Sequence, residues 1–313
     1  MANYISDFTK SRFMVSNPAR TARTGMDGKP FRCPFCPGNE IDTPPETYRV
    51  GPGEPNKSGW EIRVVPNKFA ITDIHEVIIH SSDHEKNIED FEIHQVENLI
   101  KTYINRFKYW SLDSSSSTSS PPQNDGRRKG KVFIFHNYSL VSGASLIHPH
   151  SQVSVVPTDI PTSTLALQPI TNIVEQIGDF ASYCPDYSEW AYEVWIAENP
   201  KSEIRRSKQI QNSNFKDLNE NQIEDLATIL QSAIRKLKKI HSSNPHYSKK
   251  PFGYNFYISV PSHPKGVQSE AIPESWYLRI IPRFMERAGF ELSTGIMVNS
   301  IDPKSASAEL KNI

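Results

Sequence analysis

The amino-acid sequence predicts an α+β protein that uses one succession of secondary structure twice. Three features predict it. Strand, strand, helix, strand, strand runs through the first half and recurs in the second. Each succession closes on an apolar-apolar-Pro step, Val155-Val156-Pro157 and Ile280-Ile281-Pro282. Two long segments, 87–110 and 217–241, space their apolar residues at helical intervals.

In the first half "WEIRVVPN" and "HEVIIHS" read as strands, rich in β-branched residues. "NIEDFEIHQVENLIKTYINRFKYW" reads as a helix with an acidic first turn, which suits the positive end of its dipole. "KVFIFHNYS" and "LIHPHSQVSVVP" are again strand-like. The second half offers "WAYEVWIAE", a polar stretch holding Ile204, the helix "DLNENQIEDLATILQSAIRKLKKIH", then "GYNFYISV" and "SWYLRIIPRF". Asp302 before Pro303 reads as the N-cap and first residue of a short terminal helix. The expected domains are therefore 1–165 and 166–313. Residues 111–130, dominated by Ser, Pro and charge, bury too little apolar surface to fold and are read as a disordered insertion.

The chain has 313 residues, with 35 Lys and Arg against 35 Asp and Glu. That balance argues against a polyanion track, so no nucleic acid is expected, whereas a small phosphorylated ligand needs only a few placed cations. No run approaches the ~20 apolar residues of a membrane span. The start "MANYISDFTK" lacks a signal-peptide pattern, and three cysteines make no disulfide framework, so a cytoplasmic protein is expected.

Cys33-Pro-Phe-Cys36 supplies half of a tetrahedral metal site. No second such pair exists, so any further ligands are histidines. Redox chemistry and an inert pair are the alternatives, the former disfavoured by the proline-rich surroundings. His84, in the loop after "EVIIH", is the candidate to complete the site, with His80 as the alternative. His75, His94, His241, His246 and His263 are assigned to surface turns or helix faces, and Cys184 to apolar packing.

His148, His150 and Gln152 alternate along one strand and so share a face, a polar row ~13 Å long. Pro149 removes a ladder hydrogen bond, which limits the strand to an edge or to its non-bonded side there. A histidine beside an exposed carbonyl can donate one ring nitrogen to it and present the other as nucleophile or base, which is the reading for His150. Gln152 can donate its amide to an oxygen gathering charge. The loop "NYSLVSGAS", holding Asn137, Ser139 and Ser145, is small and polar enough for its backbone N–H groups to approach phosphate, without a Walker pattern.

Together the His-x-His-x-Gln strand, "FRCPFCPGNE", "SNPARTARTG", "WEIRVVPNKF", "SGASLIHPHSQV" and "AGFELSTGIMVNS" resemble, in order, the galactose-1-phosphate uridylyltransferase family of the histidine-triad superfamily, with its plant-type branch acting on ADP-glucose. The resemblance spans nearly the whole chain. It implies tandem histidine-triad-like repeats forming a central, mostly antiparallel sheet flanked by helices. It also implies transfer of a nucleoside monophosphate through a covalent nucleotidyl-histidine on His150, with Gln152 on the transferred phosphoryl oxygens. Cys33, Cys36, His84 and His148 would hold one structural Zn²⁺. Arg20, Arg23, Asn67, Asn137 and Ser145 match phosphate- or nucleotide-binding positions.

Three departures stand out. "ESWYLRIIPR" carries no second His-x-His, and registering the repeats sets Ser275 opposite His150, so the second half lacks a nucleophile. Arg279 lies near a glutamine of the plant-type branch and is expected to offer a cation to phosphate. Ser139 replaces a glycine common after the family's asparagine. The resulting expectation is a nucleotide-sugar enzyme of galactose and carbohydrate metabolism, UDP-glucose:hexose-1-phosphate uridylyltransferase first. A phosphorylase or adenylyltransferase acting on ADP-glucose or a dinucleoside polyphosphate, and a zinc-stabilised non-catalytic relative, are the alternatives. Sugar 1-phosphate or free phosphate is the implied acceptor, and a homodimer is compatible with the family.

Overall fold

The structure is a computed structural model describing residues 2–18, 32–111, 130–199, 214–260 and 275–313. The chain is α+β, antiparallel sheet flanked by a few helices. It divides into two units: Met1–Asn87 with Asn98–His136 and Ser145–Thr164, and Ile88–Glu97 with Asn137–Ala144 and Leu165–Ile313. No helix among the described residues is long and apolar enough to cross a membrane.

In the first half, β1 (Asn3–Ser6) and β2 (Phe13–Ser16) make a two-stranded ribbon. The sheet elements follow as β3 (Tyr48–Val50), β4 (Ile62–Pro66), β5 (Ile74–Ile79), α1 (Ile93–Trp110), β6 (Lys131–Tyr138) and β7 (His150–Val156). Their strands lie antiparallel in the order β3-β4-β5-β7-β6. Helix α1 buries Val96, Leu99, Ile100, Tyr103 and Ile104, the single stripe its spacing predicts. Its acidic residues precede it, in a separate 3-10 turn at Ile88–Asp90, so the helix starts later than its sequence pattern suggests.

Strands β4 and β5 are buried along nearly their whole length, so their charged residues need partners there. Glu76 accepts from Arg106 Nε and Nη2, both at 2.9 Å, from Trp110 Nε1 and from Thr47 Oγ1. Arg63 donates to Glu46 at 2.8 Å and to Thr43 at 2.9 Å. Such satisfied pairs pin α1 and the β3 approach to the sheet in one register, because breaking either strands a buried charge.

The second half repeats the first more fully than the sequence pattern indicates. Ahead of β10 (Val194–Glu198) stand β8 (Ile173–Ile177) and β9 (Phe180–Tyr183), turning at Gly178, whose φ of +53° favours glycine. Then come α2 (Glu220–Ser243), β11 (Tyr254–Ser259) and β12 (Tyr277–Pro282). The antiparallel order β8-β9-β10-β12-β11 matches β3-β4-β5-β7-β6. The repeated unit is thus three strands, helix, two strands. The stretch around Ile204 lies outside the described residues, as do 112–129 of the proposed insertion. Asn219 caps α2 in a capping box with Gln222. After α3 (Gly289–Thr294), Asp302 accepts from Ser305 N at 2.9 Å and starts α4 (Pro303–Lys311), as predicted.

Candidate active site and metal site

Strand β7 places the candidate residues. It begins at His150 and runs between β5 and β6, so it is central, and Pro149 sits at its entrance with its carbonyl accepting from His80 N. Of the two placements open to the proline, the edge is excluded: a proline just before the first ladder pair removes no ladder bond. His148 therefore precedes the strand, and the polar row splits by role at Pro149.

On the near side of that split, His148 joins Cys33, Cys36 and His84, whose ligand atoms all lie within 4.8 Å of one another. His148 Nδ1 is 3.8 Å from Cys33 Sγ and 3.7 Å from Cys36 Sγ, and His84 Nδ1 is 3.2 Å from Cys36 Sγ. Metal–ligand bonds of about 2.0–2.3 Å in a tetrahedron demand ligand separations of roughly 3.3–3.8 Å, so the four residues fit one divalent ion. His148 Nε2–H donates to the Ser81 carbonyl at 2.9 Å, which fixes Nδ1 as the lone-pair nitrogen facing the sulfurs. Burial lowers the His148 pKa to about 4, keeping the ring neutral as a ligand must be, while burial raises the Cys33 thiol to about 11. A cation is what would make a thiolate stable there. His80, the alternative ligand, is instead buried against Ser151, 2.7 Å from its Oγ.

Beyond the split, the His150 Nδ1–H donates to the His148 carbonyl at 2.9 Å, leaving the lone pair on Nε2. The ring lies edge-on to Phe35, centroids 5.3 Å apart, and lines a cleft with Gln152, Asn67, Lys68 and Ser145. Of these, Lys68 and Phe35 were not singled out from sequence. Gln152 Oε1 lies 2.9 Å from His75 Nε2. His75 is itself buried within β5, not on a turn as expected. Its alternation with Val77 and Ile79 opposite β7 is the signal that places it.

Behind β7, Ser151 points the other way. Its Oγ is 2.6 Å from the Tyr103 hydroxyl, and His136 Nδ1–H donates to the His150 carbonyl at 2.9 Å. The His80 and His136 rings stack with centroids 5.0 Å apart. Burial, reinforced by His136 and His150, holds His80 well below the ordinary histidine range, and burial with His150 holds His136 at about 3. In the unfolded chain both protonate near pH 6.5, so below that pH the unfolded state binds more protons and stability falls. His136 should therefore cost about 2 kcal/mol by pH 5, with His80 acting in the same direction, seen as a lower urea midpoint at pH 5 than at pH 7. An unchanged midpoint would mean that these rings do not stay neutral in the folded protein.

Other expected residues are placed differently. Asn137 Oδ1 accepts from Asn255 at 2.7 Å in the second unit, and Asn255 also donates to the Ser142 carbonyl. Arg20 and Arg23 lie outside the described residues. Arg279 requires correction. It is buried, with Nε and Nη2 donating to Glu193 at 2.7 and 2.8 Å, Nη2 also to Glu189 and Nη1 to Tyr257. Two carboxylates already neutralise it, so it is a core ion-pair residue rather than a cation offered to phosphate. Cys184 is buried as expected, its thiol pushed up to about 12.

Ser139 adopts φ 74° and ψ 159°, a region that disfavours any side chain. Relief of that strain outweighs glycine's greater unfolded-state freedom, so Ser139→Gly should stabilise by about 1 kcal/mol in urea unfolding. A destabilised variant would show that the hydroxymethyl group makes compensating contacts.

The second unit differs from the first at the positions that match His75 and Gln152. Registering β12 on β7 by their Pro ends places Tyr277 at the Gln152 position and Trp195 at that of His75. These rings stack at 4.3 Å beneath Leu165 and Leu167, with the Tyr277 hydroxyl donating to the Leu165 carbonyl. Apolar packing fills the place that the first unit keeps polar.

No protein-family model matches the chain. Across 98% of its length it is 23% identical to an ADP-glucose phosphorylase of Arabidopsis thaliana, covering 92% of that protein. It is 22% identical, over 94% of its length, to a galactose-1-phosphate uridylyltransferase of Thermotoga maritima, 93% of which is covered. The crystal structure of an ADP-glucose phosphorylase from Arabidopsis thaliana with bound ADP-glucose shares the fold. It matches with a TM-score of 0.68 and 21% identity over 100% of this chain and 99% of its own.

Proposed function

From the premise that this chain belongs to the galactose-1-phosphate uridylyltransferase family with its ADP-glucose phosphorylase branch, we propose that it transfers a nucleoside monophosphate from a nucleotide sugar through His150. The observation that carries this is the His150 Nδ1–H tied to the His148 carbonyl, which puts the nucleophilic lone pair on Nε2. In the first step Nε2 attacks the α-phosphorus; the N–P bond forms as the bond to the bridging oxygen breaks, and sugar 1-phosphate leaves. In the second, an acceptor phosphate oxygen attacks phosphorus and the N–P bond breaks. The His148 carbonyl stabilises the positive charge that the ring gains on attack, and the Gln152 amide donates to the non-bridging oxygens. The negative phosphoryl group also gains from Lys68 at the cleft wall.

ADP-glucose is the favoured donor and phosphate the favoured acceptor, since the similarity to the phosphorylase extends over more of the chain. UDP-glucose with a hexose 1-phosphate acceptor is the second reading, supported by the uridylyltransferase relative. Zinc is the ion suited to the Cys33, Cys36, His84 and His148 set, where it would tie the 33–36 loop to the entrance of β7.

Intact-mass spectrometry after brief incubation with each nucleotide sugar, without acceptor, tests this. An AMP adduct from ADP-glucose is expected; a UMP adduct alone would select the second reading. No adduct from either would remove the covalent route.

A further inference from the structure

We propose that His75 is the positioning residue that orients Gln152 for transfer, an inference that rests on the role given above to Gln152. The chain of donors has one consistent direction. The Ile71 backbone N–H donates to His75 Nδ1 at 2.8 Å, so the ring carries its proton on Nε2. That N–H donates to Gln152 Oε1 at 2.9 Å. With its oxygen held, the amide of Gln152 turns its two N–H donors the other way.

The distinction matters because an amide's oxygen and nitrogen ends are nearly the same size. A glutamine free to flip would present acceptor lone pairs to phosphoryl oxygens in one of its two orientations, which repels the charge that transfer builds. His75 removes that choice. It is buried in β5, opposite Ser154 on β7 and on the same face as Gln152. Asn67 Oδ1 accepts from Phe69 N, which leaves its Nδ2, a donor, 3.3 Å from the protonated ring nitrogen, so the acceptor for that N–H is Gln152 Oε1. The second unit supplies an internal comparison: the positions of His75 and Gln152 are held there by stacked Trp195 and Tyr277, and His150 is matched by Ser275. The polar pair occurs only in the half with the nucleophile.

A double-mutant cycle tests the proposal, reading the single-turnover rate of adduct formation with whichever of ADP-glucose and UDP-glucose labels the wild type. Gln152→Ala should slow labelling by about 100-fold, and His75→Leu by about 10- to 100-fold, with little change in the donor concentration giving half-maximal rate. In the Gln152→Ala background, His75→Leu should cost less than about threefold, because a positioning residue has nothing left to position. His75→Gln, which can carry an N–H to the place of Nε2, should keep activity within about fivefold, while the shorter His75→Asn falls to the leucine level. The Gln and Asn variants, compared with each other at matched urea midpoints, separate positioning from loss of fold.

Equal losses from His75→Leu in both backgrounds, or equal activities for the Gln and Asn variants, would overturn the proposal while leaving Gln152 in its role. An unimpaired Gln152→Ala would overturn both. Absence of any wild-type adduct would reject the covalent reading itself and the proposal with it.

Discussion

His150→Ala is expected to form no nucleotidyl adduct and to lose transfer activity on the order of 10⁵-fold, while binding metal as the wild type does. The size follows from removing the only atom that makes the covalent bond, and the selectivity follows from the split at Pro149. The His150 ring contacts Phe35 and the His148 carbonyl, whereas the candidate metal ligands are the His148 ring, Cys33, Cys36 and His84. Truncation leaves the His148 carbonyl without its ring donor, a cost of about 1–2 kcal/mol and too small to unfold a domain. Mass spectrometry, metal analysis and urea unfolding on one preparation separate the three effects. Full activity in this variant would eliminate the nucleotidyl-histidine mechanism.

Cys36→Ser is expected to have the second large effect, lowering metal content and stability together. Cys36 Sγ lies within 3.7 Å of both His84 Nδ1 and His148 Nδ1, so its loss removes a ligand from the centre of the cluster. A hydroxyl is a poor substitute because it does not ionise near neutral pH. The variant should lose most of its metal and about 3 kcal/mol or more of stability, measured by metal analysis and urea midpoint. Transfer should fall about 10- to 100-fold as well, since the loosened His148 carbonyl is the partner of His150 Nδ1. Wild-type protein that contains no metal and ignores chelators would sink the assignment.

Much of this was legible in the residues themselves. Helix α1 and helix α2 announced themselves by apolar spacing, and α4 by the Asp302-Pro303 start. Cys33 and Cys36 announced by their separation half of a Cys/His cluster that could hold a metal ion. The β8–β9 hairpin was missed although "VEQIGDFASY" carries a Gly-Asp turn between β-prone runs, because the neighbouring proline-rich segments masked its period. His75 was misplaced for a different reason. A histidine beside Glu76 looks solvated when read locally, and only the pairing of β5 with β7 shows both to be buried and satisfied.

What the sequence by itself determined is the repeated α+β succession, the alternation of His148, His150 and Gln152 beside the Cys33–Cys36 pair, and the absence of a histidine at position 275. Those depend on residue type and local period, which the chain carries without folding. What only the tertiary structure decided is which nitrogen of each histidine holds the proton, that Arg279 is neutralised by Glu189 and Glu193, and that Trp195 and Tyr277 fill the second unit's counterpart of the site. The partners of Arg279 and of Trp195 are far apart in sequence, and those of His150 and His75, though within four residues, meet only in the folded backbone. A side chain's charge, tautomer and accessibility are set by what folding brings within about 3 Å of it, and residue type alone leaves them open.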